Sequence, residues 1–288
     1  MALLAINHNM MALSAFNNLS RTYSTLHKSI DRLSSGLRIN NASDDAAGLA
    51  IRELMRSDIA SLNQGVRNAN DGISMLQTMD GAAQVIDEKL IRMKELAEQA
   101  ATGTYSSAQR GMIDYEFNAM RNEIQRIANA TDFNGIHLLA GSAGLGSDGF
   151  TSNTVKIHFG TGNSSAQDFY FITAQNLTTG SAGLGLDGLS LTTPQSAADA
   201  LQSIDTAILK KDDARAHFGS LMNRLQATAT NLVTQAENLQ SAESQISDVD
   251  VAHEMTVFIN NQIKSQSAVA MLAQANSMPQ MALKLLNA

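Results

Sequence analysis

The feature that most constrains this chain is a run of apolar residues near its start, spaced alternately by three and four positions. This spacing places the side chains along one line of a helix and is typical of a coiled-coil seam. The run extends over three heptads, so it predicts a helix that pairs lengthwise with another helix. Its members are Phe16, Leu19, Tyr23, Leu26, Ile30, Leu33 and Leu37.

A second helical segment of unusual length follows this run. Ser43 is a suitable N-cap, and Asp44 and Asp45 would lie in the first turn, where carboxylates complement the positive end of the helix dipole. The apolar seam continues to a predicted end near Thr102, a length of roughly 90 Å. One pair of consecutive three-residue steps is expected to overwind it locally. Its members are Ile59, Leu62, Val66, Ala69, Ile73, Leu76, Met79, Ala83, Ile86, Leu90, Met93 and Ala97.

Three more helices are predicted beyond this segment. Ser106 and Gln109 form a capping box for a third helix. Thr193-Pro194 is typical of the N-cap and first residue of a fourth, whose apolar seam is interrupted by the charged stretch 210–215. A junction at 247–250 separates it from a final helix. That helix is apolar on more than one face, so we expect several neighbours to cover it.

The middle of the chain has a different composition. Residues 155–159 and 169–173 predict two strands, and Asn134-Gly135 predicts a tight turn before them. Two strings, 144–149 and 183–188, fit the G-x-G-x-x-G spacing of dinucleotide-binding loops, but neither stands between a buried strand and a helix. Both also contain the glycine and aspartate of calcium-binding repeats, although two incomplete copies cannot stack. We interpret both strings as turns and loops.

These patterns predict a mainly α-helical fold. We expect an elongated antiparallel helical bundle or coiled coil with a small β-hairpin region and with the chain termini paired at one end. The expected domains are a terminal coiled-coil domain of residues 1–42 and 250–288, a helical rod domain of residues 43–140 and 194–249, and a β-hairpin and variable surface loop region of residues 141–193.

Composition argues against several classes of function. The net charge is −7 without a basic cluster, which argues against nucleic acid as a partner, and no stretch reaches the roughly 18 apolar residues of a membrane span. The absence of cysteine excludes thiol chemistry and disulfides. The six histidines are scattered, and none pairs with another ligand at helical metal-site spacing. We therefore expect no enzyme activity, no metal and no cofactor.

Four strings in the sequence resemble those of bacterial flagellins. RLSSGLRINNASDDAAGLAI, residues 32–51, is similar to the N-terminal signature of the family, and SQSAVAMLAQANSMPQMALKLL, residues 265–286, to its C-terminal signature. Residues 130–141 and 236–255 are also similar to flagellin segments. Together the similarity covers most of residues 1–141 and 194–288. The chain resembles a short flagellin that lacks large outer domains.

The resemblance implies a function and a set of partners. Flagellins self-assemble into the extracellular filament used for swimming, with the terminal helices forming an inner tube and the rods an outer shell. Its implied partners are other copies of the chain, a flagellin export chaperone, the flagellar type III export apparatus, the filament cap and the hook-associated proteins. The first ten residues lack the pattern of a cleaved signal peptide, so we expect export without cleavage.

Two groups of site residues follow from the resemblance. Arg92, Leu96 and Glu116 match the patch that the vertebrate Toll-like receptor for flagellin senses, although solvation, seam packing and filament contacts would also explain these residues. The second group is the assembly seam between subunits. It consists of Phe16, Leu19, Tyr23, Leu26, Ile30, Leu33 and Leu37 near the start of the chain, and of Met255, Ile259, Ile263, Val269 and Leu272 near its end.

Two other functions remain open from the sequence. A hook–filament junction protein shares the terminal pattern of flagellins, although the near-complete C-terminal match favours a filament subunit. A coiled-coil signalling module is the more remote alternative, and it would carry a helical hairpin tip where this chain has β-like segments.

Overall fold

The structure, a computed structural model, describes residues 9–141, 154–164 and 167–286. Within these residues the chain forms five helices and four short strands. In chain order they are α1 (Met10–Ser35), α2 (Ala46–Ala101), α3 (Ser107–Ala130), β1 (Asp132–Phe133), β2 (Ile136–His137), β3 (Thr154–His158), β4 (Phe169–Thr173), α4 (Pro194–Ser247) and α5 (Val251–Leu286). The predicted mainly α fold with a small β-hairpin region is confirmed.

Two compact units divide the chain. One consists of residues up to 57 together with residues from 237 onward, and the other consists of residues 58–236. These boundaries differ from the three-part division expected from the sequence, which followed the breaks between helices. That division stays a prediction.

Local sequence explains where α1 ends and where α2 begins. Gly36 adopts the left-handed conformation, with φ of 73°, and its N–H donates to the carbonyl of Arg32 at 2.8 Å. A residue without a Cβ is best suited to this cap. The predicted Ser43 cap of α2 is wrong, because residues 41–44 form a turn of their own. Asp45 caps the helix instead, and its Oδ1 accepts the N–H of Gly48 at 2.9 Å.

The other predicted helix starts are confirmed. Ser106 Oγ accepts the N–H of Gln109 at 3.4 Å, and Gln109 Oε1 accepts the N–H of Ser106 at 2.9 Å, which completes the capping box of α3. Thr193 Oγ1 accepts the N–H of Ser196 at 3.1 Å at the start of α4. Asp250 Oδ1 accepts the N–H of His253 at 3.1 Å at the start of α5.

The strands form two separate antiparallel pairs. Strands β1 and β2 are joined by Asn134-Gly135, whose φ angles of 53° and 80° are those of a type I′ turn. Strands β3 and β4 pair from Thr154 with Thr173 to His158 with Phe169, within one residue of the sequence-based prediction.

The β3–β4 hairpin packs on α2 through a close approach of backbone. A Cβ at Gly65 of α2 would collide with the carbonyl oxygen of Phe159, so glycine is required there. Beside it, the side-chain amide of Asn68 donates to the carbonyl of His158 at 2.7 Å. The hairpin is therefore fixed to the helix by both shape and a hydrogen bond.

The apolar seams of α2, α3 and α4 meet in the core of the 58–236 unit. Two consecutive three-residue steps in the α2 seam end at Leu76 and Met79. Both side chains are fully buried, so the change of spacing leaves the seam in the core. Burial of this many apolar side chains is the main stabilising contribution to the unit. Its largest members include Ile86, Leu90, Met93, Phe117, Ile124, Leu138, Leu139 and Phe218.

The charged stretch of α4 was expected to interrupt this packing, but it does not. Only 3% of the Lys211 side chain is exposed, and its Nζ lies 2.6 Å from Asp87 Oδ1 and 2.6 Å from Asp212 Oδ1. Arg215 forms a second link to α2, with its Nε 2.7 Å from Asp80 Oδ1. Burial alone would lower the pKa of Lys211, but its hydrogen bonds to Asp212 and Asp87 outweigh burial and raise that pKa. The lysine therefore occupies a core position as a paired cation.

We expect the two members of the Lys211–Asp87 pair to respond differently to substitution. Asp87→Asn should lower the free energy of unfolding by about 1–3 kcal/mol, because it weakens the pairing of a buried cation that keeps only Asp212. Lys211→Met should change it by less than about 1 kcal/mol, because methionine fills a similar volume without a charge. Urea denaturation followed by circular dichroism measures both.

Glu123→Gln serves as the control, since it removes the solvent-exposed Arg126–Glu123 pair. It should leave the unfolding midpoint nearly unchanged. A Lys211→Met variant less stable than Asp87→Asn would contradict the interpretation of Lys211 as a cation held by its partners.

Candidate assembly surface

The two terminal helices, α1 and α5, pack against each other along stripes that mix small, polar and apolar residues. On α1 the buried or half-buried positions are Ala12, Ala15, Leu19, Thr22, Leu26, Ser29, Arg32 and Leu33. On α5 they include Glu254, Phe258, Asn261, Ser265, Ala268, Leu272 and Ala275. Both sets recur every three or four residues, as one side of a helix must. The contact between the helices is therefore narrow and partly polar.

Polar groups fix the direction and register of this pairing. Ser29 Oγ donates to Glu254 Oε1 at 2.5 Å, and Arg32 Nη1 lies 3.5 Å from Glu254 Oε2. Near the other end, Asn9 Nδ2 donates to the carbonyl of Ala275 at 2.7 Å. The start of α1 thus lies beside the later part of α5, so the two helices are antiparallel and the expected pairing of the chain termini is confirmed.

The predicted seam on α1 divides between two environments. Leu19, Leu26 and Leu33 lie on the stripe that contains Ser29 and are half-buried. The other three residues of the helical seam remain open to solvent: Phe16 is 56% exposed, Tyr23 is 44% exposed and Ile30 is 42% exposed. The last residue, Leu37, lies beyond the helix, where it forms a β-bridge with Asp248. The pairing with α5 therefore covers only one side of the apolar repeat.

Helix α5 exposes apolar residues in the same way. Met255, Ile259, Ile263 and Val269 are solvent-exposed, whereas Leu272 is half-buried. Several exposed apolar side chains on both paired helices of a folded chain indicate a site of protein association. We call Phe16, Tyr23 and Ile30 of α1, together with Met255, Ile259, Ile263 and Val269 of α5, the terminal face.

Backbone hydrogen bonds join the two segments that lie next to these helices. The N–H of Arg38 donates to the carbonyl of Ser247 at 2.7 Å, and the N–H of Val249 donates to the carbonyl of Gly36 at 3.0 Å. Arg52 Nη1 donates to the carbonyl of Ile39 at 2.8 Å. Sequence reasoning did not identify Arg38 or Arg52. Their only signal was a position within the flagellin-like string 32–51.

The receptor-like patch is partly open and partly buried. Arg92 Nη2 lies 2.8 Å from Glu116 Oε1, and Arg92 Nη1 lies 2.9 Å from Glu95 Oε2. Hydrogen bonds to Glu95 and Glu116 raise the pKa of Arg92 further above its ordinary value. Leu96 is only 2% exposed, so its side chain packs in the core beneath the patch. That burial corrects the expectation of a direct Leu96 contact, while Arg92 and Glu116 face solvent.

The glycine-rich string at 183–188 forms a loop. Gly185 and Gly188 have φ of 79° and 76°, and the Lys210 Nζ donates to the carbonyl of Gly183 at 2.7 Å. Coil and bends lead from it to Pro194, so no helix follows the string directly. The turn-and-loop interpretation is confirmed for this copy. The other copy, residues 144–149, lies outside the described residues.

Among the described residues, no three His, Asp or Glu side chains come together in a way that could hold a metal ion. In the same part of the chain, none of the helices combines the length and apolar character needed to cross a membrane.

Comparison with known proteins is consistent with this geometry. The model of the bacterial flagellin N-terminal helical region matches residues 6–144, and that of the bacterial flagellin C-terminal helical region matches residues 201–286. The flagellar filament 33 kDa core protein of Treponema phagedenis is 40% identical over 284 residues, covering 98% of this chain and 99% of the relative.

Two flagellins show similar agreement. The flagellin of Bacillus subtilis (strain 168) is 40% identical over 302 residues, and that of Halalkalibacterium halodurans is 39% identical over 281 residues. Each comparison covers 98% of this chain and 99% of the relative. With both family regions matched and near-full-length relatives at this identity, the chain belongs to the bacterial flagellin family.

Proposed function

We propose that this chain is a structural subunit that assembles with copies of itself into the bacterial flagellar filament used for swimming. The observation that carries this proposal is the terminal face. Antiparallel α1 and α5 bury Ser29 and Glu254 between them, while Phe16, Tyr23 and Ile30 point into solvent. A chain that functioned alone would gain by burying those apolar side chains instead.

A second copy of the same chain is the partner that best fits this face. Each copy presents apolar residues on both α1 and α5, so contact between copies removes apolar area from water on both partners. When the contacting surfaces are different parts of the chain and the rotation between copies does not close, the product is an open helical filament. The names of its relatives, flagellin and flagellar filament core protein, support this assembly.

The domain roles extend this proposal. Residues 1–42 and 250–288 would form the inner tube, residues 43–140 and 194–249 the outer rods, and residues 141–193 the outward surface. The β3–β4 hairpin lies within the last of these segments and supports the division. It also argues against a coiled-coil signalling module, which would carry a helical tip at this place.

The partners and location expected for such a subunit are part of the proposal. We place the assembled protein outside the cell, after export through the flagellar type III apparatus without a cleaved signal peptide. The exposed apolar face of α5 would need cover before assembly, and an export chaperone could supply that cover. The filament cap and the hook-associated proteins would contact the two ends of the growing polymer. We favour the filament over the hook–filament junction because the near-full-length relatives are filament proteins.

Ile30→Glu tests the terminal face most selectively. Because Ile30 is solvent-exposed in the single chain, we expect monomer helicity by circular dichroism to stay unchanged. Addition to filament seeds should slow by at least about a hundredfold, because each new contact would bury an unpaired carboxylate. Leu33 is a poorer choice, since it is half-buried on the α5 side and its substitution would disturb both the monomer and the polymer.

Ser24→Glu is the matched control on the same helix. Ser24 is exposed and lies off the apolar repeat, so this variant should add to seeds at close to the wild-type rate. Growth of Ile30→Glu filaments at the wild-type rate would mean that copies do not meet through this face.

A second proposal concerns the vertebrate Toll-like receptor for flagellin. The exposed Arg92–Glu116 pair offers a charged anchor on α2 and α3, and Leu96 would support it from below. We expect Arg92→Ala to reduce receptor activation in reporter cells by at least about tenfold, since arginines often dominate binding energy. Arg126→Ala, which removes another exposed arginine, should leave activation unchanged. Full potency of the Arg92→Ala monomer would contradict a role for this patch.

A further inference from the structure

The distribution of sulfur in this chain is uneven. It has 14 methionines and no cysteine, so thioethers are its only sulfur groups. Met75, Met79 and Met93 are buried in the core of the 58–236 unit. The solvent-exposed methionines among the described residues are Met10, Met11, Met112, Met255, Met271 and Met281. Two of these six lie on α1 and three on α5, so five of the six belong to the terminal helices.

These five residues, which we call the terminal methionines, all lie on the two helices that carry the terminal face. Met10, Met11 and Met271 line one groove between α1 and α5, with a volume of about 470 Å³. Met10 is 67% exposed and Met271 is 63% exposed, so both sulfur atoms lie within reach of small solutes. Met255 is itself part of the terminal face, one helical turn before Ile259. Oxidation of Met255 would place a polar sulfoxide within the terminal face.

We propose that the terminal methionines are an oxidation site through which peroxide controls addition of the subunit to the filament. This inference rests on the proposed filament function. It assigns a covalent modification to Met10, Met11, Met255, Met271 and Met281 and a consequence to that modification.

The chemistry needs only a two-electron oxidant such as hydrogen peroxide. A lone pair of the thioether sulfur attacks one peroxide oxygen, the O–O bond breaks, and the second oxygen leaves as water after proton transfer from the first. The sulfur loses two electrons and gains an S–O bond, and the peroxide is reduced. The sulfoxide is a strong hydrogen-bond acceptor, so burying it in an apolar contact without a donor is unfavourable.

Exposure gives the modification its selectivity. The core methionines are shielded by packing, so the folded monomer should be oxidised first at its exposed sulfurs. Met112 is 71% exposed on α3 and should also react, but it lies outside the terminal helices. It therefore separates an effect of the terminal methionines from a general effect of oxidation. The reaction is reversible, because methionine sulfoxide reductases return the thioether.

The test uses purified full-length monomer exposed to hydrogen peroxide, then freed of it and mixed with filament seeds. Peptide mass spectrometry locates the sulfoxides, and circular dichroism checks that helicity is retained. We expect elongation at least about tenfold slower after oxidation of the terminal methionines, and recovery after treatment with methionine sulfoxide reductases. Equal elongation of oxidised and untreated protein, with sulfoxides confirmed at these residues, would overturn the inference.

Leucine variants show which methionines cause the slower elongation after oxidation. A variant with leucine at all five terminal methionines keeps apolar side chains of similar size, and whatever its untreated elongation rate, peroxide should not change that rate. Met112→Leu should remain as sensitive as the wild type. Continued inhibition of the five-leucine variant would overturn the assignment. If that variant fails to elongate even untreated, the reductase experiment decides: recovery supports the inference and lack of recovery overturns it.

The same experiment distinguishes a failure of the proposed filament function from a failure of the oxidation proposal. Untreated wild-type monomer that does not extend seeds contradicts the filament proposal itself. Untreated monomer that extends seeds, together with oxidised monomer that does so equally well, leaves the filament proposal intact and removes only the oxidation site.

Discussion

The antiparallel pairing of α1 with α5 leaves large apolar side chains of both helices exposed, and the proposed assembly depends on these side chains. The contact combines small side chains, half-buried leucines such as Leu19 and Leu26, and the Ser29–Glu254 hydrogen bond. Phe16, Tyr23 and Ile30 are then left facing water. Since burial of such side chains is the main favourable term in association, we expect the terminal helices to be stabilised when copies meet.

The unit of residues 58–236 has the opposite character, because it buries its own apolar residues. Its core is formed by α2, α3 and α4, and even the buried Lys211 is paired, with Asp87 and Asp212. Buried charge pairs contribute little to net stability but disfavour arrangements that would leave the cation alone. This unit therefore buries its apolar residues within itself, whereas we propose that the terminal helices supply the surface that joins copies. On this proposal, stability and assembly belong to different parts of one chain.

Sequence reasoning predicted most of the fold because its signals were local. The capping box at Ser106, the Asn134-Gly135 turn and the seam periodicity depend on neighbouring residues, and all three are confirmed. The terminal pairing was also predicted. Sequence could not show which side of the apolar repeat α5 covers, because periodicity gives the direction of a side chain and not its neighbour. Leu96 was matched to the receptor patch by resemblance, which does not show how deeply a side chain is buried. Lys211 was expected to interrupt a seam that it joins.

The central claim is that the terminal face is open in the monomer and closed between copies. Hydroxyl-radical footprinting with peptide mass spectrometry, carried out on monomer and on assembled filaments, measures this directly at Phe16 and Tyr23. We expect strong labelling of both rings in the monomer and protection in the filament, with Phe117 protected in both states because it lies in the core. Equal labelling of Phe16 and Tyr23 before and after assembly would contradict it.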